Sequence, residues 1–380
     1  MKCIGIETFS GAPVEVTFDG AISAVQPAAY GSQTYLSPGW IDIQVNGFLG
    51  VDYNDPTCTK EQIAQSIRGL FATGVTRFYP TVITGSPEDM VSALRNLRCA
   101  KETLPEGAAI DGFHVEGPHI SPDDGPRGAH PRRWVRAPNL DEYRRWQEVT
   151  GHRVRIVTLA PEWPQALPYI EAVAADGVVV SIGHTNATAQ QIADAVSAGA
   201  SLSTHLGNGA HPVMRRHPNY IWEQLAEDRL MADFIVDGIH LSHSFLKVAL
   251  RAKTVARSVL ITDAAAPAGC APGRYQLGEQ AVELTSDNRV VLVGQERLAG
   301  SALRIDRGVE NLMRIVDLSL ADAVRMATIN PAHAGRVPGR TEGLVPGERA
   351  DLIEYRFNSE RKQISIQATY LSGEKVFQAS

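Results

Sequence analysis

The sequence predicts a (β/α)₈ barrel of the TIM type that carries a small β-sandwich made from its two ends. Three observations predict it. From Gly39 onward, strand-like and helix-like segments alternate eight times. Polar residues of metal-ligand type gather at the C-terminal ends of the strand candidates. The two ends of the chain instead read as short strands and turns.

The eight strand candidates are "WIDIQVNG" (from 40), "TRFYPTVIT" (from 76), "AIDGFHVEG" (from 109), "RVRIVTLAPE" (from 153), "VVVSIGH" (from 178), "SLSTHL" (from 201), "ADFIVDGIH" (from 232) and "SVLITDA" (from 258). The first is apolar, β-branched at alternate places and runs into a turn at Gly47. Amphipathic helical patterns lie between them. "KEQIAQSIRGLFATG" and "NATAQQIADAVSAGA" are the clearest, each ending near a glycine suited to a C-cap. Asn186 or Thr188 caps the start of the second. Eight βα units imply parallel strands joined by right-handed crossovers, and a closed ring is their economical arrangement. An open doubly wound sheet competes, but no G-x-G-x-x-G follows the first strand.

The barrel is expected over residues 38–337, with a β-hairpin insertion near 270–300 after the eighth strand. Residues 1–37 and 338–380 are expected to pair into the small domain. The chain of 380 residues has room for both. Its 44% hydrophobic and 21% charged content is ordinary for a globular protein. A net charge of −6 gives no sign of nucleic-acid binding, so an anionic ligand must meet a local basic cluster. No apolar run approaches the roughly 20 residues of a membrane span. Cys3, Cys58, Cys99 and Cys270 lie far apart with no C-x-x-C pair, which argues against a zinc ribbon or a disulfide framework and suits reduced thiols in the cytoplasm. The N-terminus carries no apolar stretch of signal-peptide type.

Glu116 ends the third strand candidate, His184 the fifth, His205 the sixth, His240 the seventh and Asp263 the eighth. In a TIM barrel these ends share one rim, where active sites lie. One Glu and two His match a catalytic metal site that keeps positions open for water. Zn²⁺ and Fe²⁺ both suit this donor set, and ligand softness alone does not choose between them. Asp263 beside such an ion can take a proton from water and return it to a leaving amine. His114, two residues before Glu116, reads as a buried polar support, and His152 and His333 as structural or solvated.

"LSPGWIDIQVNG", "FHVEGPHISPDDGPRGAHP", "SIGHTNAT", "STHLGNGA", "IVDGIHL", "LITDAAAPAG", "LAGSAL" and the "NPA…G…G…ADL" tail occur in that order. Together they resemble the N-acetylglucosamine-6-phosphate deacetylases of the amidohydrolase superfamily, over nearly the whole chain. The resemblance implies the same barrel-plus-sandwich fold. It implies deacetylation of N-acetylglucosamine 6-phosphate by one metal ion per chain, held by Glu116, His184 and His205, with Asp263 as general base and acid. It makes His130 the histidine that polarises the acetyl carbonyl, and His240 a substrate-binding histidine. Asn208 and Gly209 become the turn that meets the phosphate. Arg216 falls where a phosphate-binding arginine reaches in from the neighbouring subunit, which implies a homodimer. Many amidohydrolases carry H-x-H on the first strand to bind a second ion. Gln44 and Asn46 stand there in this chain, so no second ion is expected.

The stretch after "THL" departs from the family pattern: Gly207 and Ala210 remove bulk, while His211, Arg215 and His217 add charge. The alternative reading is therefore an amidohydrolase acting on another amide: an N-acyl amino acid, a cyclic amide or a different N-acetyl sugar. A non-enzymatic scaffold is the third reading, and it predicts lost ligands, whereas Glu116, His184, His205 and Asp263 are all present.

Overall fold

The computed structural model describes residues 1–29 and 33–380. Residues 30–32, inside the N-terminal segment expected in the small domain, lie outside the described residues. Eight strands run in sequence order around one sheet: Trp40–Val45, Val75–Ile83, Phe113–Glu116, Val154–Leu159, Val179–Ile182, Ala200–Ser203, Met231–Ile235 and Ser258–Ile261. Every neighbouring pair is parallel. The eighth strand returns to the first through a short seam. There Asp263 N–H donates to Gln44 C=O at 3.0 Å and Asn46 N–H donates to Ala264 C=O at 2.7 Å. The ring is thus a near-closed barrel.

Local sequence explains the helices. Thr59 accepts from Gln62 N–H while the Gln62 side chain returns to Thr59 N–H, a capping box that starts Lys60–Phe71. That helix ends with Ala72 as its cap, and Gly74 turns the chain two residues later with φ +91°. The helix Ala189–Ala198 takes Thr188, not Asn186, as its N-cap, and Gly199 ends it with φ +121°.

The barrel interior is apolar below and polar above. Ile41, Ile43, Tyr79, Ile156, Val179, Leu202, Val259 and Ile261 form one fully buried cluster, against which Ala332, Ala334 and Val337 pack. A larger cluster joins the outer strand faces to the helices. Between the apolar layer and the rim, His114 Nε2 lies 2.7 Å from Thr158 Oγ1 and its Nδ1 lies 3.1 Å from Ile43 O. Thr158 continues to Thr204 and Ser181 through hydroxyl bonds of 2.7 and 2.6 Å. His114 is therefore a satisfied support beneath the rim, while His152 and His333 are exposed.

Both chain ends build one seven-stranded mixed sheet. Its order is Glu374–Gln378, Gln363–Leu371, Leu352–Asn358, Thr34–Pro38, Lys2–Glu7, Pro13–Asp19 and Ala21–Pro27. Among the described residues, only the pairing of Lys2–Glu7 with Thr34–Pro38 is parallel in this sheet. After the eighth barrel strand, Gly273–Leu277 and Gln280–Leu284 form a hairpin, and Val290–Leu292 adds a third antiparallel strand. Among the described residues, no helix is long and apolar enough to cross a membrane.

Candidate active site

The C-terminal rim of the barrel opens into a cavity of about 710 Å³ lined by Asn46, Glu116, His130, His184, His205, His240 and Asp263, among others. Three of these residues take left-handed backbone angles without being glycine: His184 at φ +50°, His205 at φ +30° and Asp263 at φ +49°. Each such conformation costs on the order of 1–3 kcal/mol, and its persistence shows that the surroundings dictate it. All three turn the chain sharply off a strand end and leave a polar side chain at the rim.

Glu116 is the centre of the cluster. Its Oε1 lies 3.1 Å from His184 Nε2 and 2.8 Å from His205 Nε2. Burial works against its negative charge, but the bonds to His184 and His205 prevail and hold its carboxyl well below the usual range. On His205, burial disfavours the charged ring, yet Glu116 outweighs it and lifts the pKa to about 9. His184 Nδ1 lies 2.7 Å from Pro126 C=O. A carbonyl can only accept, so Nδ1 carries a hydrogen and Nε2 is the ring atom turned to Glu116.

Glu116, His130 and His184 also offer donor atoms that all lie within 4.8 Å of one another. Two overlapping triads therefore exist, sharing Glu116 and His184 and differing in His205 or His130. The His130 Nδ1 lies 2.8 Å from Thr84 Oγ1. Burial, helped by the neighbouring His184, pushes the His130 pKa down to about 3, so this ring is neutral.

Asp263 Oδ1 accepts from Asn46 Nδ2 at 2.7 Å and from Gln44 Nε2 at 3.2 Å. Burial and then the nearby Glu116 charge raise its pKa to about 6, against the lowering influence of His205 and Asn46. The first-strand amides are thus partners of the rim carboxylate. The first strand is also irregular, with a register shift between Asp42 and Val45.

His240 Nδ1 lies 2.6 Å from Asp237 Oδ2 in the same turn. Asn208 folds back on His205, its backbone N–H donating to His205 C=O at 2.9 Å. Gly209 has φ +54°, and a Cβ placed on it would lie 2.6 Å from His184 Nδ1. Arg216 stands apart: it is exposed, does not line the cavity and pairs with no carboxylate among the described residues. Gly207 and Ala210 do line the cavity. A side chain at Gly207 would collide with Leu241 and Phe245, at 2.8 Å from each, so the loss of bulk there is matched by its neighbours. His211 is held by Tyr220, while Arg215 and His217 are exposed.

Several contributors carried no signal in the sequence. Thr84, the Pro126 carbonyl and Asp233, whose carboxylate accepts from His205 N–H, all lie outside the quoted motifs for their partners. Asp237, three residues before His240 in "DGIH", was within reach as a local turn partner. The insertion also holds the loop that bears His130. Gln280 donates to Ala129 C=O, and Arg297 donates to Gly128 C=O at 3.0 Å.

The amidohydrolase family matches residues 35–376. The chain is 34% identical over 325 residues to the N-acetylglucosamine-6-phosphate deacetylase of Bacillus subtilis (strain 168), spanning 85% of this chain and 81% of that protein. It is 35% identical over 353 residues to the Homo sapiens protein of the same name, spanning 90% and 84%. A mutant deacetylase of Mycobacterium smegmatis, solved in complex with N-acetyl-D-glucosamine-6-phosphate, superposes with a TM-score of 0.86 at 29% identity, over 96% of this chain and 94% of that one.

Proposed function

The chain belongs to the amidohydrolase family, among its N-acetylglucosamine-6-phosphate deacetylases, and from that premise we propose that it hydrolyses N-acetylglucosamine 6-phosphate to glucosamine 6-phosphate and acetate. The observation that carries the chemistry is the convergence of one carboxylate oxygen and two imidazole nitrogens beside Asp263. His184 Nε2, its Nδ1–H held by Pro126, faces Glu116 Oε1 at 3.1 Å, a pairing that calls for a proton or a cation between the two atoms.

A divalent cation fits that demand, and this donor set suits one. We assign Glu116, His184 and His205 as its ligands, one ion per chain, with zinc expected and iron the alternative. His205 is preferred to His130 because both His184 and His205 meet the same Glu116 oxygen, while Thr84 engages His130. When bound, the ion supplies Lewis acidity and lowers the pKa of water from about 15.7 towards about 7.

The other steps belong to the chain's own side chains. Asp263 takes a proton from the attacking water and later delivers it to the departing nitrogen. A hydrogen bond from Thr84 Oγ1–H to His130 Nδ1 leaves His130 Nε2–H as the donor on the acetyl oxygen, where negative charge develops. Asp237 accepts from His240 Nδ1–H, so Nε2 is left for the substrate. His240, with the turn at Asn208 and Gly209, is assigned to the sugar phosphate.

Arg216 is assigned to the same phosphate from a second copy of the chain in a homodimer; its exposed guanidinium, which pairs with no carboxylate among the described residues, supports this. A cytoplasmic setting is proposed on four unpaired thiols. The test is acetate release from N-acetylglucosamine 6-phosphate, from the unphosphorylated sugar and from N-acetyl amino acids. The phosphorylated sugar should be preferred, and activity confined to acyl amino acids overturns the assignment.

A further inference from the structure

Gln44 and Asn46 donate to one and the same oxygen of Asp263, Oδ1. All three residues are buried. The arrangement is built into the barrel seam. Asp263 N–H donates to Gln44 C=O at 3.0 Å, and Ser301 N–H donates to Asp263 C=O at 3.0 Å, so the backbone of the carboxylate is fixed on both sides. The second oxygen, Oδ2, receives no donor among the described residues, and Asp263 lines the cavity.

An oxygen that already accepts two N–H bonds is a poor place for a proton. An O–H on Oδ1 would set a donor against two donors, and one of the two N–H···Oδ1 hydrogen bonds would be lost. We propose that Gln44 and Asn46 are positioning residues that divide the labour of Asp263: Oδ1 is the anchor, and Oδ2 alone carries the proton.

This rests on the deacetylase reading above and adds to it the atom that does the work. As the C–O bond to the acetyl carbon forms, one O–H bond of water breaks and its proton moves to Oδ2. As the C–N bond breaks, the same proton passes from Oδ2 to the nitrogen, leaving a free amine and acetic acid, which ionises. Asn46 makes the shorter bond, and it also lines the cavity, so its loss should matter more than that of Gln44.

The experiment compares wild type, Asn46→Ala and Gln44→Ala in kcat, KM and metal equivalents, using N-acetylglucosamine 6-phosphate. Asn46→Ala should lose about 10²-fold in kcat, the scale expected when a reacting group is displaced by ~1 Å, with KM and metal content unchanged. Gln44→Ala should lose less, again in kcat alone. If both variants keep kcat within about threefold of wild type, or if kcat falls only in step with lost metal, the amides are structural and the inference is overturned. If Asn46→Ala does not fold, Gln44→Ala alone decides by the same criteria. A wild-type enzyme inactive on the phosphorylated sugar would instead sink the deacetylase reading, which keeps the two failures distinct.

Discussion

Gly209 presses so closely on His184 that a Cβ at 209 would stand 2.6 Å from the His184 Nδ1. Its φ of +54° also disfavours any L side chain, by roughly 1–2 kcal/mol. Gly209→Ala should therefore displace His184 from its bond to Pro126. The expected outcome is a folded protein that holds much less than one metal equivalent and has lost at least about tenfold in kcat. Elemental analysis alongside steady-state kinetics checks it, and full metal content with wild-type kcat refutes it.

The acid side of the pH–rate profile should report Asp263. Its carboxyl is raised to about 6 by burial and Glu116, and it must be ionised to accept a proton. kcat/KM should thus fall about tenfold per pH unit on the acid side, with the limb at or below about 6, because a bound cation draws the carboxyl lower. His130, held neutral down to about pH 3, adds no limb in that range. Asp263→Asn should abolish the profile by removing at least about 10³-fold of kcat at unchanged metal content.

Metal binding should release a proton from His205. Without an ion, burial is outweighed by Glu116 and the His205 pKa stands at about 9, so this ring is charged at neutral pH. A ligand must give up that proton, and affinity should weaken about tenfold for each pH unit lowered below 9. Calorimetry in two buffers of different ionisation enthalpy gives the proton count. The sign for stability follows: a raised histidine pKa stabilises the metal-free fold below its unfolded value near 6.5 and loses that contribution as pH rises through about 9. Chelated protein should melt lower at pH 10 than at pH 7.

Thr84→Val keeps the shape at His130 and removes its hydroxyl partner. The neutral imidazole then has no local reason to keep its hydrogen on Nε2. A fall of about tenfold in kcat with little change in KM is expected, and an unchanged kcat removes Thr84 from this role.

Arg216→Ala should raise KM for the phosphorylated sugar about tenfold and leave the unphosphorylated sugar unaffected. Sedimentation at the assay concentration must show a dimer. A monomer with full activity removes Arg216 from the phosphate.

The barrel was legible because β-branched runs such as "VVVSIGH" and "SVLITDA" recur at the spacing of βα units. The gathering of Glu116, His184, His205, His240 and Asp263 around one cavity follows from that order alone, since parallel strands bring their C-terminal ends to one rim. Apart from Asp237 beside His240, the partners of these residues were not legible. Pro126 acts through a carbonyl and Thr84 through a single hydroxyl, and neither leaves a pattern. Gln44 and Asn46 could be read as neutral occupants of a ligand position. Their bond to Asp263 spans more than 200 residues and exists only because the first and eighth strands meet. The third strand of the insertion, Val290–Leu292, was missed because three residues are too few to show alternation.

The mixed sheet imposes a schedule on biosynthesis. Thr34–Pro38 pairs with Leu352–Asn358, a segment made more than 300 residues later. At about 5–20 residues per second, the early strands wait on the order of tens of seconds for their partner. Throughout that interval a nascent chain offers an unpaired strand edge to other chains on the same polysome. A ribosome stalled anywhere before Leu352 leaves that edge open, so the need for chaperone cover is set by the more than 300 residues that separate the two paired strands.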